Sequence, residues 1–297
     1  KEINMALRII SANEPMKVDQ LVVTIYGQPG VGKTSLGFTA ESPLLLDFDH
    51  GAYRAMGRKD TVDVSAWSDV TQIEAADLDG YKTIVVDTAG RALDALAADI
   101  IRREPKLGRG GALTQQGWGR LKSEFTSWLT LLRSFGLDVV LIAHGTEKMD
   151  GDETIVRLDV AGGSKDEIYK SADMMGRLFI RGGRRVISFD PTDTAYGKNP
   201  ASLPTQDVPS NDFGFMATLI SQTKEKLNAL SAEQQAEAVK IKNFTETVKR
   251  FTGPEDFTDS IGVAKELGKT FAGILAREAK ERGYVYDRQT RAYKVAA

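Results

Sequence analysis

The 297-residue sequence contains no cysteine and only two histidines, His50 and His144. The absence of cysteine excludes disulfide bonds, thiolate metal sites and a cysteine nucleophile. Two histidines are too few for a histidine-rich metal site. No apolar run approaches the ~20 residues that a membrane span needs, and no signal peptide is visible. These absences predict a protein of a reducing cytoplasmic compartment that does not act in a membrane.

An excess of charge of one sign is also missing. Lysine and arginine number 39 against 41 aspartates and glutamates, which gives a net charge of −2. This balance excludes a globally basic coat for nucleic acid but allows a local basic stripe. Hydrophobic residues make up 41% of the chain, enough for a large core.

The order of apolar and polar segments predicts three regions. Residues 1–20 form an N-terminal arm, residues 21–205 an α/β core, and residues 206–297 a mainly helical region that ends in a small hairpin. In the core, short apolar runs alternate with helical patterns, which predicts a mostly parallel sheet flanked by helices. The predicted strands are Leu21–Tyr26, Pro43–Phe48, Thr61–Trp67, Lys82–Asp87 and Asp138–Ala143. Helices are predicted at about 33–41, 68–77, 91–104, 118–135, 213–229, 231–251 and 260–282, with a linker at 190–212 and a hairpin at 284–295.

The strongest motif follows the first predicted strand. Gly27-Gln28-Pro29-Gly30-Val31-Gly32-Lys33-Thr34-Ser35 fits the Walker A pattern G-x-x-x-x-G-K-T/S. Glycines let the backbone curl so that its N–H groups point at phosphate oxygens. Lys33 is expected to reach the β- and γ-phosphates, and the Thr34 hydroxyl to ligate Mg²⁺. The motif therefore predicts a site for ATP and magnesium.

A second candidate metal ligand ends the strand Thr83-Ile84-Val85-Val86. Asp87 suits the Walker B position, where a carboxylate holds magnesium through its water shell. Asp87-Thr88-Ala89-Gly90 also fits the D-x-x-G box of a GTPase. The candidate guanine motif, Glu147-Lys148-Met149-Asp150, has glutamate where an amide is required, which makes a GTPase the less favoured reading.

The stretch that follows the predicted P-loop helix resembles the corresponding stretch of the RecA-like recombinase ATPases. The resemblance implies that the strand after the P-loop helix ends in an acidic stretch whose carboxylate activates water, and Leu44-Leu45-Leu46-Asp47-Phe48-Asp49-His50-Gly51 matches it. Asp49 is the expected base, with Asp in place of the family's Glu, and Asp47 is the competing candidate. The resemblance also implies that His144, after Val139–Ala143, is a sensor of the γ-phosphate.

The resemblance further implies two DNA-binding loops and a basic finger acting on the neighbouring subunit. The first loop, 102–120, is basic and holds an aromatic residue, a composition suited to phosphate contact and base stacking. The second loop, 145–166, follows the sensor. Lys198 is the first candidate for the finger and Arg184 the second. The predicted DNA-binding residues are Arg102, Arg103, Lys106, Arg109, Trp118 and Lys165.

Taken together, the chain resembles phage-encoded RecA-like ATP-binding proteins, a group that includes single-strand annealing recombinases. The motifs that carry the resemblance are the Walker A loop, the acidic stretch, Tyr81–Asp87 and Tyr196-Gly197-Lys198, over residues 20–205. It implies a RecA-like P-loop NTPase core with a helical C-terminal region. It also implies an ATPase of the host cytoplasm that binds single-stranded DNA and assembles into a ring or filament with ATP between subunits. A single-strand-binding protein is a candidate partner. The alternative is a nucleotide-gated interaction protein that hydrolyses little ATP and recruits replication or recombination partners.

Overall fold

The computed structural model describes residues 15–150, 153–160 and 164–296. Most of the predicted N-terminal arm, residues 1–14, lies outside the described residues. The strands are β1 (Val22–Gly27), β2 (Pro43–Asp47), β3 (Thr61–Asp63), β4 (Thr83–Asp87), β5 (Gly108–Arg109), β6 (Ala112–Leu113), β7 (Asp138–Asp150), β8 (Glu153–Leu158), β9 (Met174–Arg181), β10 (Arg184–Ser188), β11 (Gln206–Asp207), β12 (Tyr284–Asp287) and β13 (Ala292–Val295). The α-helices are α1 (Lys33–Gly37), α2 (Ser68–Thr71), α3 (Ala89–Arg103), α4 (Gln115–Ser134), α5 (Ser164–Ser171), α6 (Phe215–Lys249), α7 (Pro254–Asp259), α8 (Ile261–Leu267) and α9 (Lys269–Glu281).

The predicted mostly parallel sheet is confirmed. Its strand order is β11-β10-β9-β1-β7-β4-β2-β3, and β8 pairs with β7. The strands from β9 to β3 along this order run parallel, whereas β10, β11 and β8 pair antiparallel with their neighbours. The carboxyl ends of parallel strands meet at one edge of a sheet, so Gly27, Asp47 and Asp87 end their strands along the same edge.

Apolar residues on both faces of the strands explain the layered packing. Along β4, Ile84 and Val86 pack into a cluster with α3 and α4, whereas Val85 packs on the other face with α1 and α6. A parallel sheet covered on both faces needs such continuous apolar runs rather than alternation. The same runs allowed the sequence to predict these strands.

The first part of α6 and the segment before it belong to the core. Ala201, Leu203 and Val208 are buried, although a linker is predicted at 190–212. The start of α6 packs with them through Met216 and Leu219. One compact unit therefore spans Val18–Leu227, beyond the predicted core boundary at residue 205.

A second compact unit includes the chain from Asn228 onward. Its core gathers Val248, Phe257, Phe271 and Leu275 from α6, α7 and α9. The guanidinium of Arg282 donates to the carbonyls of Val248, Lys249 and Phe251 at the end of α6, where helix carbonyls lack internal partners. The predicted hairpin is confirmed as β12 paired with β13.

The predicted break near residue 230 is wrong. Helix α6 runs without interruption through Ser231, which was expected to begin a new helix with Gln234. Alanine, glutamate, glutamine and lysine fill this stretch, and none of them stops a helix as glycine or proline does.

Within the described part of the chain, no helix combines the length and apolarity needed to cross a membrane.

One buried ion pair joins the first part of α6 to the sheet. Its removal tests whether that part of α6 belongs to the core. Asp138, which is 8% exposed, accepts hydrogen bonds from the Leu21 N–H at 2.9 Å and from Lys224 Nζ at 2.7 Å. Asp138→Ala leaves both donors unpaired, so we expect the free energy of unfolding in urea to fall by about 2 kcal/mol. The exposed pair of Arg184 with Asp207 is the control, and Arg184→Ala should cost under about 1 kcal/mol. Equal losses of unfolding free energy in the two variants would contradict the assignment of the first part of α6 to the core.

Candidate nucleotide-binding site

The loop between β1 and α1 has a backbone that only glycine permits at two positions. A Cβ atom at Gly27 would lie 2.1 Å from the carbonyl oxygen of Leu178 on β9. Gly32 has a φ of +89°, in the left-handed region that other residues rarely adopt. These constraints explain why glycine occupies both positions of the motif. The loop therefore has the curled form that the Walker A pattern predicts.

Lys33 lies buried beneath this loop, with 5% of its surface exposed. Its Nζ donates to the carbonyl oxygens of Gly27 at 3.0 Å and Gln28 at 2.8 Å, and lies 3.4 Å from His144 Nδ1. Burial lowers the pKa of Lys33, and the carboxylates of Asp87 and Asp49 act in the opposite direction. An ammonium group that is held only by neutral carbonyls and lies close to an imidazole is a natural partner for phosphate oxygens.

Thr34 and Asp87 meet at the base of the loop, as the sequence predicts. Thr34 Oγ1 donates to Asp87 Oδ2 at 2.5 Å. The pKa of Asp87 is raised to about 6, chiefly by burial and also by the carboxylates of Asp47 and Asp49, while the Thr34 hydrogen bond and Lys33 act in the opposite direction. A hydroxyl and a carboxylate are the hard oxygen ligands that Mg²⁺ prefers.

The described residues contain no group of three or more histidines, aspartates and glutamates placed to hold a metal ion by themselves. Magnesium usually binds through one or two carboxylates, with water and substrate phosphates completing its octahedron. Thr34 and Asp87 therefore fit a cation that binds together with a nucleotide.

Asp47, the competing candidate for the base, is engaged in the turn after β2. Its carboxylate accepts hydrogen bonds from the backbone N–H groups of Asp49, Gly51 and Ala52, at 3.2, 3.2 and 2.8 Å. A carboxylate with several backbone donors fixes the conformation of its turn. This arrangement favours a structural role for Asp47.

Asp49 is more accessible than Asp47. Its side chain is 28% exposed, and its Oδ1 atom lies 3.5 Å from Arg91 Nε, its ion-pair partner. The carboxylate is also close enough to act on the pKa values of Lys33, Asp87 and His144. His50 points elsewhere, with Nδ1 2.6 Å from Asp63 Oδ1. Asp49 is thus the more accessible of the two carboxylates, and its role as the base stays a prediction.

His144 occupies the strand that separates the P-loop strand from the Asp87 strand. It pairs in register with Gly27, because β7 lies between β1 and β4. Burial and the positive charge of Lys33 lower the pKa of His144. A neutral imidazole at this point can accept a hydrogen bond from Lys33 at one ring nitrogen and donate one to a phosphate oxygen from the other. The role of His144 as a sensor of the γ-phosphate stays a prediction.

The long loop predicted after His144 is wrong. Strand β7 continues to Asp150 and returns as β8 in an antiparallel hairpin, followed by α5. The β-branched run Thr154-Ile155-Val156 was the signal that could have predicted a strand here. Gly162 and Gly163 lie outside the described residues, and Lys165 belongs to α5 rather than to a loop.

The other predicted DNA-binding segment is also more ordered than expected. Arg102 and Arg103 end α3 and both pair with Asp99 at 2.6 Å. Trp118 lies in α4, where it is half-buried against the core. A 3₁₀ turn and the short β5–β6 hairpin fill the interval, because Leu107 and Leu113 are buried. The expectation of a flexible loop is therefore wrong.

The two candidates for the basic finger already have partners within the chain. Lys198 Nζ donates to the carbonyl oxygens of Ala172 at 2.7 Å and Lys170 at 3.4 Å near the end of α5, and lies 4.6 Å from the centroid of the Tyr169 ring. Arg184, whose side chain is 74% exposed, pairs with Asp207 at 2.6 Å. A role for either residue at a neighbouring subunit stays a prediction.

Arg91 is a site residue that the sequence reasoning missed. It lies in the first turn of α3, where its N–H donates to the Thr88 hydroxyl. Its side chain reaches both Asp49 and Asp94, each at 3.5 Å. An arginine in a charged helix has no distinguishing pattern, so only the fold brings it to Asp49.

The parallel sheet, the curled glycine loop with its buried lysine, and the Thr34–Asp87 pair together define a P-loop nucleoside triphosphatase. Residues 19–201 match a family model described as an AAA domain. The match covers more than half of the chain, which therefore belongs to this family of P-loop proteins. No curated protein gives a significant match to the chain.

Removing the buried charge of Asp87 is expected to stabilise the folded protein. Because the folded-state pKa is raised above the ordinary value of 3.8, ionisation of Asp87 costs stability as the pH rises from about 4 to about 6. Asp87→Asn keeps an acceptor for Thr34, so above pH 6 we expect the variant to be more stable by up to ~3 kcal/mol in nucleotide-free protein with EDTA. The difference should vanish near pH 4 in urea titrations.

Asp47→Asn is the matched control at the same sheet edge. An amide offers one acceptor oxygen to three backbone donors, so this variant should lose stability at every pH. A loss of stability in Asp87→Asn at pH 8 would contradict the account of Asp87.

Proposed function

We propose that the protein is a magnesium-dependent ATPase whose turnover is coupled to single-stranded DNA. The observation that carries the ATPase proposal is the convergence of Lys33, the Thr34–Asp87 pair and Asp49 at one sheet edge. Phosphate binding, metal binding and water activation are the three tasks of nucleotide hydrolysis, and each has a candidate residue there.

The division of labour follows from the contacts. Lys33 exchanges the carbonyls of Gly27 and Gln28 for β- and γ-phosphate oxygens, while Thr34 and Asp87 hold Mg²⁺, which supplies charge neutralisation on the phosphates. Asp49 takes the proton of a water whose oxygen bonds to the γ-phosphorus as the bond to the β–γ bridging oxygen breaks. His144 contacts the γ-phosphate.

ATP is favoured over GTP by the position of the candidate guanine motif. Glu147, Lys148 and Met149 lie within β7, paired antiparallel with β8. A guanine-binding motif requires an amide at the position of Glu147 and a loop at the end of a strand. Neither condition is met, which supports adenine as the base.

The proposed DNA contact draws on the RecA-like resemblance and on two exposed cations. Lys106 precedes the β5–β6 hairpin and Arg109 lies within it, and in the described part of the chain neither forms an ion pair. Arg102 and Arg103 are neutralised by Asp99, so they contribute less. The same resemblance supports a homo-oligomer, ring or filament, with ATP bound between subunits.

A second candidate function rests on the pairing of Asp49 with Arg91. A base held in an ion pair activates water poorly, and Asp49 has a shorter reach than glutamate. The protein would then bind ATP as a switch, hydrolyse little of it, and recruit a replication or recombination partner.

Phosphate release measured with ATP and GTP tests the ATPase proposal and the role of Asp49. Asp49→Asn should lower kcat by about 100-fold or more with little change in nucleotide affinity, since only the proton acceptor is lost. Asp94→Asn is the matched control, because Asp94 is the other partner of Arg91 and should leave turnover unchanged. Unchanged turnover in Asp49→Asn would discard it as the base, and a preference for GTP would contradict the choice of ATP. Nucleotide binding without turnover in the unmodified protein would favour the switch.

Salt titration of DNA binding tests the β5–β6 contact. Replacing Lys106 and Arg109 by alanine should reduce the slope of log K against log salt by about 1.4 for a single-stranded oligonucleotide, since two phosphate contacts are lost. Fluorescence anisotropy provides the measurement. Lys265→Ala with Lys269→Ala removes the same charge from exposed positions elsewhere and should leave the slope unchanged. Equal slopes in all proteins would exclude the hairpin as a DNA surface.

A further inference from the structure

Arg185 lies on the strand face that packs toward the P-loop. Side chains alternate along a strand, so Arg185 on β10 shares a face with Ile187. Ile187 packs in the same core cluster as Val31 of the P-loop and Leu36 of α1. Arg184, its neighbour, faces the opposite way. Strand alternation therefore sends only one of the two adjacent arginines toward the loop.

The guanidinium of Arg185 lies directly against Gly32. A Cβ atom at Gly32 would be 2.8 Å from Nη1 of Arg185. The side chain is held there from the other side, because its Nη2 donates to the carbonyl oxygen of Pro209 at 3.3 Å. The backbone next to Pro209 is fixed in turn, since the Val208 N–H donates to the Arg185 carbonyl oxygen at 2.8 Å.

Arg185 has no counter-ion among the residues that the structure describes. Arg184 pairs with Asp207, and Arg177 lies 3.6 Å from Glu147, but no carboxylate pairs with Arg185. A half-buried guanidinium carries a desolvation cost that a neutral carbonyl offsets only in part. An uncompensated arginine beside an anion-binding loop indicates that its partner is the bound anion.

The strand order sets which part of the nucleotide Arg185 can reach. β9 and β10 lie on one side of β1, whereas β7 and β4 lie on the other. His144 and Asp87 belong to that second side, and Lys33 contacts His144 there. The γ-phosphate and the metal are assigned to that side by the proposed function. Arg185 thus approaches the loop from the side away from the reacting phosphate.

We infer that Arg185 is a nucleotide-binding residue acting within its own chain, on the diphosphate portion shared by nucleoside triphosphates and diphosphates. This inference rests on the proposed nucleotide site. It gives the protein a cation that binds substrate and product alike, and it leaves discrimination between ATP and ADP to the residues on the other side of β1.

Equilibrium binding of ATP and ADP, measured by calorimetry in magnesium buffer, tests the inference. Arg185→Ala should weaken both nucleotides by about tenfold or more and by similar factors, since a charge-assisted contact to a shared phosphate is lost. Arg181→Ala, which removes an exposed arginine from the neighbouring strand β9, should change neither affinity by more than about twofold. Weakening of ATP alone would overturn the inference, because it would place Arg185 on the γ-phosphate. Unchanged affinities in Arg185→Ala would also overturn it.

A second variant separates binding from folding. Arg185→Gln retains a donor for the Pro209 carbonyl but carries no charge, so it should keep the thermal unfolding midpoint of the unmodified protein and still lose affinity for both nucleotides. A folded Arg185→Gln with normal affinity would contradict the inference. Failure of the unmodified protein to bind either nucleotide would instead refute the proposed function on which the inference depends.

Discussion

Two opposite charges buried a short distance apart, the ammonium of Lys33 and the carboxylate of Asp87, constrain the rest of the site. Lys33 is 5% exposed and Asp87 is 4% exposed. Each charge pays a desolvation penalty, and that penalty lowers the pKa of Lys33 and raises the pKa of Asp87. Neutral carbonyls and one hydroxyl are weak compensation for such groups. A phosphate chain would place negative charge near Lys33, and magnesium would place positive charge near Asp87. Both buried charges therefore favour the binding of a nucleotide together with magnesium.

The sheet makes this arrangement possible because of its strand order. Strand β7 lies between β1 and β4, which places His144 between the P-loop and the strand of Asp87. The same strand continues into the β7–β8 hairpin, so His144 and the hairpin belong to one continuous strand. On the other side of β1, β10 holds Arg185 against the loop. Polar and charged side chains therefore approach the loop from both sides of one strand.

The parts of the site that the sequence predicted are those encoded by contiguous residues. The Walker A loop needs glycines, lysine and threonine at fixed spacing, and Asp87 ends an apolar run that only a buried strand explains. The parts that it missed depend on long-range register. Whether Asp47 or Asp49 is free depends on which backbone N–H groups fold onto each carboxylate. The proximity of Arg185 to Gly32 depends on which strand pairs beside β1, and no local pattern encodes that pairing. Likewise, α6 continues past Ser231 because packing and helix-forming residues outweigh a local capping signal.

The central claim is that a nucleotide and magnesium bind together at Lys33, Thr34 and Asp87. The most direct measurement is calorimetric titration of the unmodified protein with ATP, once with magnesium and once with EDTA. The account predicts saturable binding with one nucleotide per chain that is weaker by tenfold or more in EDTA, since Thr34 and Asp87 would hold the cation that neutralises the phosphates. Equal affinity in the two buffers, or no binding in either, would contradict it.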